Sequence, residues 1–441
     1  MTKYDQKEVP VSLYKASCDA YHYGCIRKDE LELGKILTAI FGTGLFMTII
    51  KKLDSGIKRI FISLIKPFNK VVPNKVIFLN FTGNYDCNPK GVCQGLIDGG
   101  YDVDLVWTVL KNTRVGPMFF PEEVRPVMRN SYEFFKELAS AKVIVDNGIS
   151  TAFVRYHKKR SQVLVETWHG SLGIKKFGRD ANNDKSWLRK AAREGRMTDY
   201  IISNSDMEDE IYREDFWKTT PIWKFGHPRN DILLCNDKKK LAELDKSIRR
   251  QYDIPKDVKL CMYAPTFRDD RDLRPYMIDY DRLEEALTKR FGGKWAIMAR
   301  FHMRTKRFLK WNMFPNNVYN LSGYPDIQEL MAVIDVGITD YSSWICEYML
   351  RRKPGFTFAT DVENYAEHER TMFFPLTALP FPTAANNDQL MQNILNFDEE
   401  KFVKDCDAFL KEKGSIDDGH ASERAAAAIN KILHPEQAQA N

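Results

Sequence analysis

The chain has 441 residues, which is too many for a single hydrophobic core and enough for two large domains with additions. Hydrophobic residues make up 44% of the sequence and charged residues 29%, and this composition excludes a disordered protein. The formal net charge of +6 suits an anionic partner, such as a phosphate-bearing substrate or a membrane surface.

Residues 1–72 are predicted to form a helical, membrane-associating segment, because their pattern differs from the rest of the chain. Residues 36–50 (ILTAIFGTGLFMTII) are apolar or small throughout, but a helix that spans a bilayer needs roughly 20 such residues. A helical stripe follows, opposite a basic face, and consists of Ile57, Ile60, Phe61, Leu64 and Ile65. This order is typical of a monotopic membrane anchor. The alternatives are a hairpin packed on the protein's own core, an oligomer contact and a true membrane span.

Strands alternate with helices over residues 73–235, the predicted N-terminal domain. Apolar runs rich in β-branched residues alternate with loops and helical stretches, which predicts a parallel sheet with helices on both faces. The strands are expected at 75–81, 103–110 and 141–147, with 163–170 and 199–205 each running from a strand into a loop.

The same pattern restarts after the charged helical stretch DKKKLAELDKSIRRQY and predicts a second, similar domain over residues 236–441. The two α/β domains are expected to join near residues 230–245. Helices are expected to follow from Asp398 to His434. The strands are expected at 259–267, 294–302, 317–323, 335–343 and 353–361.

Polar and charged residues follow the predicted strands six times. In open parallel α/β sheets, ligands bind beyond the carboxyl ends of the strands. Two facing sheets would therefore gather these loops into one cleft. The six groups are His169, Asn204 with Ser205, residues 227–230, residues 265–270, residues 300–302 and residues 339–343.

The stretch DYSSWICEYML begins with two candidate helix caps, Asp340 and Ser342. A helix through WICEYML would leave N–H groups and serine hydroxyls at its positive end, where phosphate binds well. Ordinary capping without a ligand is the alternative. Arg300 and His302, at the end of a neighbouring strand, favour the phosphate.

Seven motifs occur in the order TWHG (167–170), ISNS (202–205), GHPRND (226–231), YAPTFRDD (263–270), ARFH (299–302), ITDYSS (338–343) and DGHASER (418–424). Together they resemble the CDP-glycerol glycerophosphotransferases of teichoic-acid and capsule synthesis. The resemblance implies a GT-B fold, in which two Rossmann-like domains face each other across a cleft. It also implies transfer of a polyol phosphate from a CDP-activated donor to a hydroxyl of a lipid-linked acceptor, with release of CMP. The N-terminal segment would place such an enzyme on the cytoplasmic face of the cell membrane, as a peripheral protein.

The chemistry of this transfer suggests roles for two histidines. An imidazole with a pKa near neutrality can accept the proton of the acceptor hydroxyl, and His169 lies in the domain where the family binds the acceptor. We therefore expect His169 to be the general base. His302 is the second expected catalytic residue, because the negative charge that grows on the leaving CMP needs electrostatic stabilisation.

The resemblance also implies three groups of binding residues. The donor is expected to bind Arg300, Thr266, Arg268, Thr339, Asp340, Ser342, Ser343, Glu347 and Asp361. The acceptor is expected to bind Gly170, Lys175, Lys176 and Arg179. Further cleft residues are expected to be Asn204, Ser205, His227 and Arg229, with a structural ion pair as the alternative for Arg229.

The chain departs from the family in two places. Residues 171–175 read SLGIK where the family commonly continues with threonine, proline, leucine and lysine. Residues 370–374 read RTMFF where arginine, glycine, phenylalanine and tyrosine are usual. Because bulk replaces a glycine near the expected donor pocket, the polyol is left open between glycerol, which is favoured, ribitol and another polyol.

Other functions and partners are constrained less strongly. A GT-B glycosyltransferase with a nucleotide-sugar donor and a catalytically silent membrane scaffold with a nucleotide cleft stay open. Scattered basic residues without interleaved aromatics argue against nucleic acid. No built-in metal or cofactor is expected, although Mg²⁺ bound with the donor diphosphate is compatible with the sequence. Eight cysteines without a C-x-x-C pair predict reduced thiols in a cytoplasmic protein.

Overall fold

The chain builds two parallel β-sheets, one from each half of the sequence. The computed structural model of the protein describes residues 62–63, 65–171, 173, 176, 178, 184–268, 273–302, 305, 314–362 and 372–436. Within these residues, every neighbouring pair of strands in both sheets is parallel. The predicted α/β architecture with two parallel sheets is confirmed.

The first sheet has seven strands in the order β3-β2-β1-β4-β5-β6-β7. Side chains of β1 alternate between two hydrophobic clusters, with Val76 and Phe78 on one face and Ile77 and Leu79 on the other. Burial on both faces explains why the strand is continuously apolar. The strands are β1 Val72–Leu79, β2 Asp104–Val109, β3 Val124–Met128, β4 Ala141–Asp146, β5 Val163–Glu166, β6 Tyr200–Ser203 and β7 Ile222–Lys224. The helices are α1 Cys87–Asp98, α2 Tyr132–Ser140, α3 Ser150–Phe153, α4 Lys185–Gly195 and α5 Asp206–Glu214.

The second sheet has six strands in the order β10-β9-β8-β11-β12-β13. Its strands are β8 Val258–Tyr263, β9 Lys294–Ala299, β10 Val318–Asn320, β11 Val336–Thr339, β12 Gly355–Phe358 and β13 Thr383–Ala384. Its helices are α6 Lys238–Tyr252, α7 Tyr280–Phe291, α8 Ile327–Val333, α9 Trp344–Tyr348, α10 Asn387–Leu395 and α11 Glu399–Glu412. One large hydrophobic cluster contains the central strands of this sheet together with α7, α8 and α10.

Both sheets are doubly wound, and this order determines where ligands can bind. The strand order changes direction between β1 and β4 in the first sheet and between β8 and β11 in the second. A crevice opens at the carboxyl ends of the strands on each side of such a point. Each of the six polar groups found in the sequence follows a strand of one of these sheets.

The last helix, α12 (Ala421–Leu433), returns to the first sheet. Its Ala425 and Ile429 are buried in the same hydrophobic cluster as Val92 and Leu96 of α1. The approach is close, because a Cβ on Gly95 would lie 2.4 Å from the carbonyl oxygen of Ser422. The predicted division at residue 235 therefore needs a correction, since the C-terminal helix packs on the N-terminal half.

The described end of the N-terminal segment packs on the protein. Residues 62–63 and 65–68 are helical, and Ile62 and Ile65 are buried in a cluster with Ile77 and Leu79. Burying an isoleucine stabilises by about 1.5–3 kcal/mol, so this end of the predicted stripe belongs to the core. Residues 36–50 and the stripe residues from Ile57 to Phe61 lie outside the described residues, as does Leu64. In the part of the chain that the structure describes, no helix combines the length and hydropathy that a membrane span requires.

Candidate active site

The loop after β5 carries His169, and the side chain of His169 is hydrogen-bonded to the backbone just after β4. The Nδ1–H of His169 donates to the carbonyl of Asn147 at 2.5 Å, and the imidazole lies 4.6 Å from the Phe81 ring. Burial lowers the pKa of His169 to about 4, so the ring is neutral near pH 7. With the proton held on Nδ1, Nε2 carries the lone pair and can accept a proton.

Arg229, after β7, joins this loop to the second half of the protein. Its Nη1 donates to the carbonyl of His169 at 2.8 Å, and its Nη2 forms an ion pair with Glu347 of α9 at 2.5 Å. Gly173 also reaches the second half, because a Cβ there would lie 3.1 Å from the Ser343 Oγ. Loops that follow strands of the two sheets therefore meet here, and the shared cleft stays a prediction. Arg229 forms the ion pair that is one of its two alternatives, and a further role in the cleft stays a prediction.

Arg300, after β9, is a half-buried cation on the side of the second sheet. Its Nη2 donates to the carbonyl of Tyr324 at 3.2 Å, whereas its Nε is buried without a hydrogen-bond partner among the described residues. Burial lowers the pKa of Arg300, and the nearby carboxylates of Asp326 and Asp86 oppose this shift. An anion bound here would supply the missing acceptor.

His302 lies two residues beyond Arg300 and is exposed. Its ring is 5.3 Å from the ring of Phe267 in the loop after β8. This places His302 between the loops that follow two neighbouring strands, β8 and β9. The position agrees with its predicted place at the strand ends, and its catalytic role stays a prediction.

Three residues that are predicted to bind the donor, Arg268, Asp340 and Asp361, form ion pairs with one another. Arg268 is 2% exposed and pairs with Asp340 and Asp361, both at 2.8 Å. Asp361 also accepts a hydrogen bond from the Tyr341 hydroxyl at 2.9 Å. Thr339 is fully buried and donates to the carbonyl of Ala264 at 2.8 Å. These groups shape the cleft wall, and donor contacts by them stay predictions.

The predicted capping of α9 by Asp340 or Ser342 is wrong. The helix begins at Trp344 with Ser343 as the preceding residue, and no side chain caps it. The Asp340 carboxylate accepts from the backbone N–H groups of Thr266 and Tyr341, at 2.8 and 2.6 Å. Asp340 therefore joins the loop after β8 to the loop after β11. Ser342 and Ser343 are half-buried at the start of the helix.

Glu347, predicted to bind donor, is enclosed by protein groups. It is 3% exposed, and besides Arg229 its carboxylate accepts a hydrogen bond from Gln328 Nε2 at 2.8 Å. Lys90 of α1 makes a second contact between the halves, with Asp326 at 2.7 Å and Glu329 at 2.5 Å. Lys90 was not found from the sequence, because a lone lysine inside a helix gives no signal.

Asn204, Ser205 and His227 hold the returning C-terminal chain and the base of the cleft. Asn204 Nδ2 donates to Asp417 at 2.7 Å and to the Ser171 hydroxyl at 2.7 Å. The Ser205 hydroxyl accepts from the Glu208 N–H as the cap of α5. His227 is fully buried against Glu208 at 2.8 Å, and this carboxylate raises its pKa.

The GHPRND and DGHASER motifs meet where α12 begins. The Asp231 carboxylate accepts from the N–H groups of Ala421 and Ser422, at 3.0 and 2.7 Å. A carboxylate at a helix N-terminus satisfies unpaired donors and interacts favourably with the helix dipole. The two motifs therefore fasten the C-terminal helix to the first half.

The predicted acceptor residues are only partly described. Gly170 lies beside Trp168, since a Cβ there would be 3.1 Å from the indole Nε1. Lys176 is half-buried. Lys175 and Arg179 lie outside the described residues. Acceptor binding by all four stays a prediction.

Comparison with known proteins places this arrangement in a family. Residues 59–431 match the family described as CDP-glycerol:poly(glycerophosphate) glycerophosphotransferase. The chain belongs to this glycerophosphotransferase family. The teichoic acid glycerol-phosphate transferase of Staphylococcus aureus (strain NCTC 8325 / PS 47) is 28% identical over 399 residues, which cover 87% of this chain and 99% of that protein.

Two further comparisons concern teichoic acid polymerases. The teichoic acid poly(glycerol phosphate) polymerase of Staphylococcus epidermidis (strain ATCC 35984) is 29% identical over 381 residues, covering 83% of this chain and 52% of that protein. The chain thus spans about half the length of this polymerase. The solved structure of the wall teichoic acid polymerase TagF has a TM-score of 0.75 at 27% identity, covering 91% of this chain and 98% of that one. A TagF variant soaked with CDPG has a TM-score of 0.74.

A cluster of three buried carboxyl groups behind His169 was missed from the sequence. Asp146, Glu166 and Glu194 are all fully buried, and one oxygen of each lies within 4.8 Å of the others. Among the described residues this is the one His, Cys, Asp and Glu group close enough to hold a metal ion. The spacing in sequence carries no signal, because the three residues come from β4, β5 and α4.

Proposed function

We propose that the chain transfers glycerol phosphate from CDP-glycerol to a hydroxyl of a lipid-linked acceptor and releases CMP, in the synthesis of teichoic acid or a capsule-like polymer. Family membership supports the donor class, and relatives named as glycerol-phosphate and ribitol-phosphate enzymes support a polyol phosphate. The observation that carries the proposal is the His169 imidazole, held through Nδ1 on the loop that Arg229 joins to the second half, where the half-buried cation Arg300 also lies.

The proposed step is an in-line displacement at the phosphorus that bears glycerol. The acceptor oxygen forms a bond to this phosphorus while the bond to the bridging oxygen of CMP breaks. His169 Nε2 takes the acceptor proton, and the departing CMP keeps the electron pair. Its growing charge is stabilised by Arg300 and His302, and electrostatics of this kind dominate phosphoryl transfer. Magnesium held by the donor diphosphate stays a prediction.

The decisive experiment measures CMP release by the full chain from CDP-glycerol, CDP-ribitol and a panel of nucleotide sugars. We expect His169→Ala and His302→Ala each to reduce the rate by at least about 10²-fold, as removal of catalytic groups does. His434→Ala is the matched control, because His434 follows α12 and contacts Asp102, which precedes β2 at the amino edge of the sheet, away from the loops at the carboxyl edge. Turnover of a nucleotide sugar alone would favour a glycosyltransferase. Donor binding without CMP release, unchanged in His169→Ala, would favour a silent scaffold.

We also propose that the N-terminal segment places the protein on the cytoplasmic membrane leaflet as a peripheral protein. Phe68 is 85% exposed at the end of the described helix. The same helix borders a cavity of about 350 Å³, which is lined by the basic residues Lys66, Arg155, His157 and Arg193, together with Ile62 and Ser63. Exposed aromatic and basic groups together suit an anionic interface.

Deletion of residues 1–56 tests this localisation without removing the buried Ile62 and Ile65. We expect the full chain to sediment with vesicles containing anionic phospholipid and the deleted protein to stay in the supernatant. The double variant Lys66→Ser/Phe68→Ser should weaken sedimentation as well. Equal sedimentation of the deleted and full chains would show that the anchor lies elsewhere.

A further inference from the structure

We propose that Glu166 is a positioning residue for His169: its carboxyl group, buried beside Asp146 and Glu194, holds the Trp168 amide and with it the backbone turn that presents the imidazole. The inference rests on the base role proposed for His169. It concerns a group that touches neither substrate nor the reacting atoms and acts through the loop.

The backbone at Trp168 needs such support. Trp168 has φ +51°, a left-handed conformation that is rare for a residue with a bulky side chain. A conformation of this kind costs on the order of 1–3 kcal/mol and persists only where the surroundings enforce it. Glu166 Oε1 accepts a hydrogen bond from the Trp168 N–H at 2.8 Å. This contact closes a two-residue turn directly before His169.

The turn is held from two other sides. The Thr167 N–H donates to the carbonyl of Asp146 at 2.8 Å. The side-chain Nδ2 of Asn88, a buried residue of α1, donates to the carbonyls of Thr167 and Trp168 at 2.9 and 3.2 Å. These bonds leave the Trp168 N–H to Glu166, so the three contacts together determine the path of the chain into His169.

Burial and the other two carboxyl groups of the cluster raise the pKa of Glu166. The Asp146 carboxyl group accepts three backbone hydrogen bonds, from Gly148, Ser150 and Thr151, so both of its oxygens already have backbone donors. Glu166 and Glu194 each have one buried oxygen without a hydrogen-bond partner among the described residues. Burial and the neighbouring Asp146 raise the pKa of both well above the usual value. Burial beside two other carboxyl groups thus favours the protonated form of Glu166, and its role in the proposal is to accept the hydrogen bond of the Trp168 N–H.

The proposal is sharply testable with glutamine in place of Glu166. Glu166→Gln keeps a side-chain oxygen that can accept from the Trp168 N–H and carries no charge. Glu166→Leu removes the acceptor at similar size. The control is Glu137→Leu, because Glu137 is another buried glutamate of the first half, bound to Lys75 at the opposite edge of the sheet. Glu137→Leu therefore shows how a loss of stability alone affects kcat.

The experiment measures kcat and KM for CDP-glycerol per folded molecule of the full chain. We expect kcat of Glu166→Leu to fall about 10–100-fold with KM changed less than about twofold, since misplacement of a reacting group by about 1 Å costs this much. Glu166→Gln should stay within about threefold of the wild type. The acidic limb of the kcat profile should move to higher pH in Glu166→Leu, as the released ring regains water. Glu137→Leu should lower the midpoint of unfolding and leave kcat unchanged.

Three results would overturn the proposal in distinct ways. A fully active Glu166→Leu protein beside an inactive His169→Ala protein would refute the positioning role alone. Equal losses in Glu166→Gln and Glu166→Leu would show that the carboxyl group acts through charge or a bound cation. Activity retained in His169→Ala would refute the proposed base, and the positioning role with it.

Discussion

Arg229 and Glu347 connect the two halves of the protein through an ion pair that is almost completely shielded from water. Their side chains are 9% and 3% exposed. The other hydrogen-bond partner of Glu347 is the Gln328 amide, which carries no charge. Arg229→Met would leave Glu347 as a buried charge without a cation. Breaking a buried pair in this way costs about 3–5 kcal/mol. We therefore expect the free energy of unfolding to fall by this amount.

The double variant Arg229→Met/Glu347→Leu distinguishes pairing from packing. Replacing both members of a buried pair with apolar residues is often nearly neutral, so we expect the double variant to recover most of the lost stability. The control is Arg282→Met, which removes an ion pair with Asp388 whose side chains are 46% and 82% exposed. An exposed pair contributes about 0–1 kcal/mol.

The assay is urea unfolding followed by tryptophan fluorescence, applied to both single variants, the double variant and the control. The three measured losses form a double-mutant cycle, from which the coupling between the two side chains follows. A loss in Arg229→Met no larger than that in Arg282→Met would refute the reasoning. So would a double variant less stable than either single variant.

Three further predictions concern the cleft. Arg300→Ala should lower kcat/KM for CDP-glycerol about 10²–10³-fold in the CMP-release assay, and an unchanged value would remove Arg300 from the donor site. Because burial lowers the pKa of His169 to about 4, the base stays neutral down to that pH, and kcat/KM should fall only as the pH drops through about 4. Burial raises the pKa of Asp86 to about 6, so the profile is also measured in Asp86→Asn. A limb near pH 6.5 that persists in this variant would contradict the prediction. Lys90→Met removes the partner of Asp326 and Glu329 and should raise hydrogen exchange in Ile327–Val333 about tenfold, whereas unchanged exchange would show that this ion pair does not stabilise α8.

The strands that carry the site could be predicted because their surroundings are simple. A central strand of a doubly wound sheet is buried on both faces, so it reads as a short, continuous apolar run. Val76 to Leu79 in β1 and residues 260–263 in β8 follow this rule. Polar residues directly after such runs mark the carboxyl edge of the sheet. The sequence alone therefore predicts that the loops of His169 and Arg300 lie at this edge.

Elements at the edges of the fold gave weaker signals. β3 contains Arg125 and Pro126, since an edge strand needs neither burial on both faces nor a complete set of N–H donors. The sequence predicts that α12 belongs to the second half, because this helix follows that half in the chain. Its apolar face is compatible with either sheet, and only the contact of Ala425 with α1 shows which one it covers. Sequence order alone does not contain this information.

The donor side of the cleft shows why charges near a predicted site cannot be assigned from sequence alone. Arg268 and Arg300 both follow strands of the second sheet, and both were expected to bind the donor. Arg268 is neutralised by two carboxylates at 2.8 Å, so it adds little net positive potential. Arg300 has no ion pair among the described residues, and the nearby Asp326 is already paired with Lys90. Because desolvated, uncompensated charge interacts most strongly with an incoming diphosphate, Arg300 is the stronger of the two candidates.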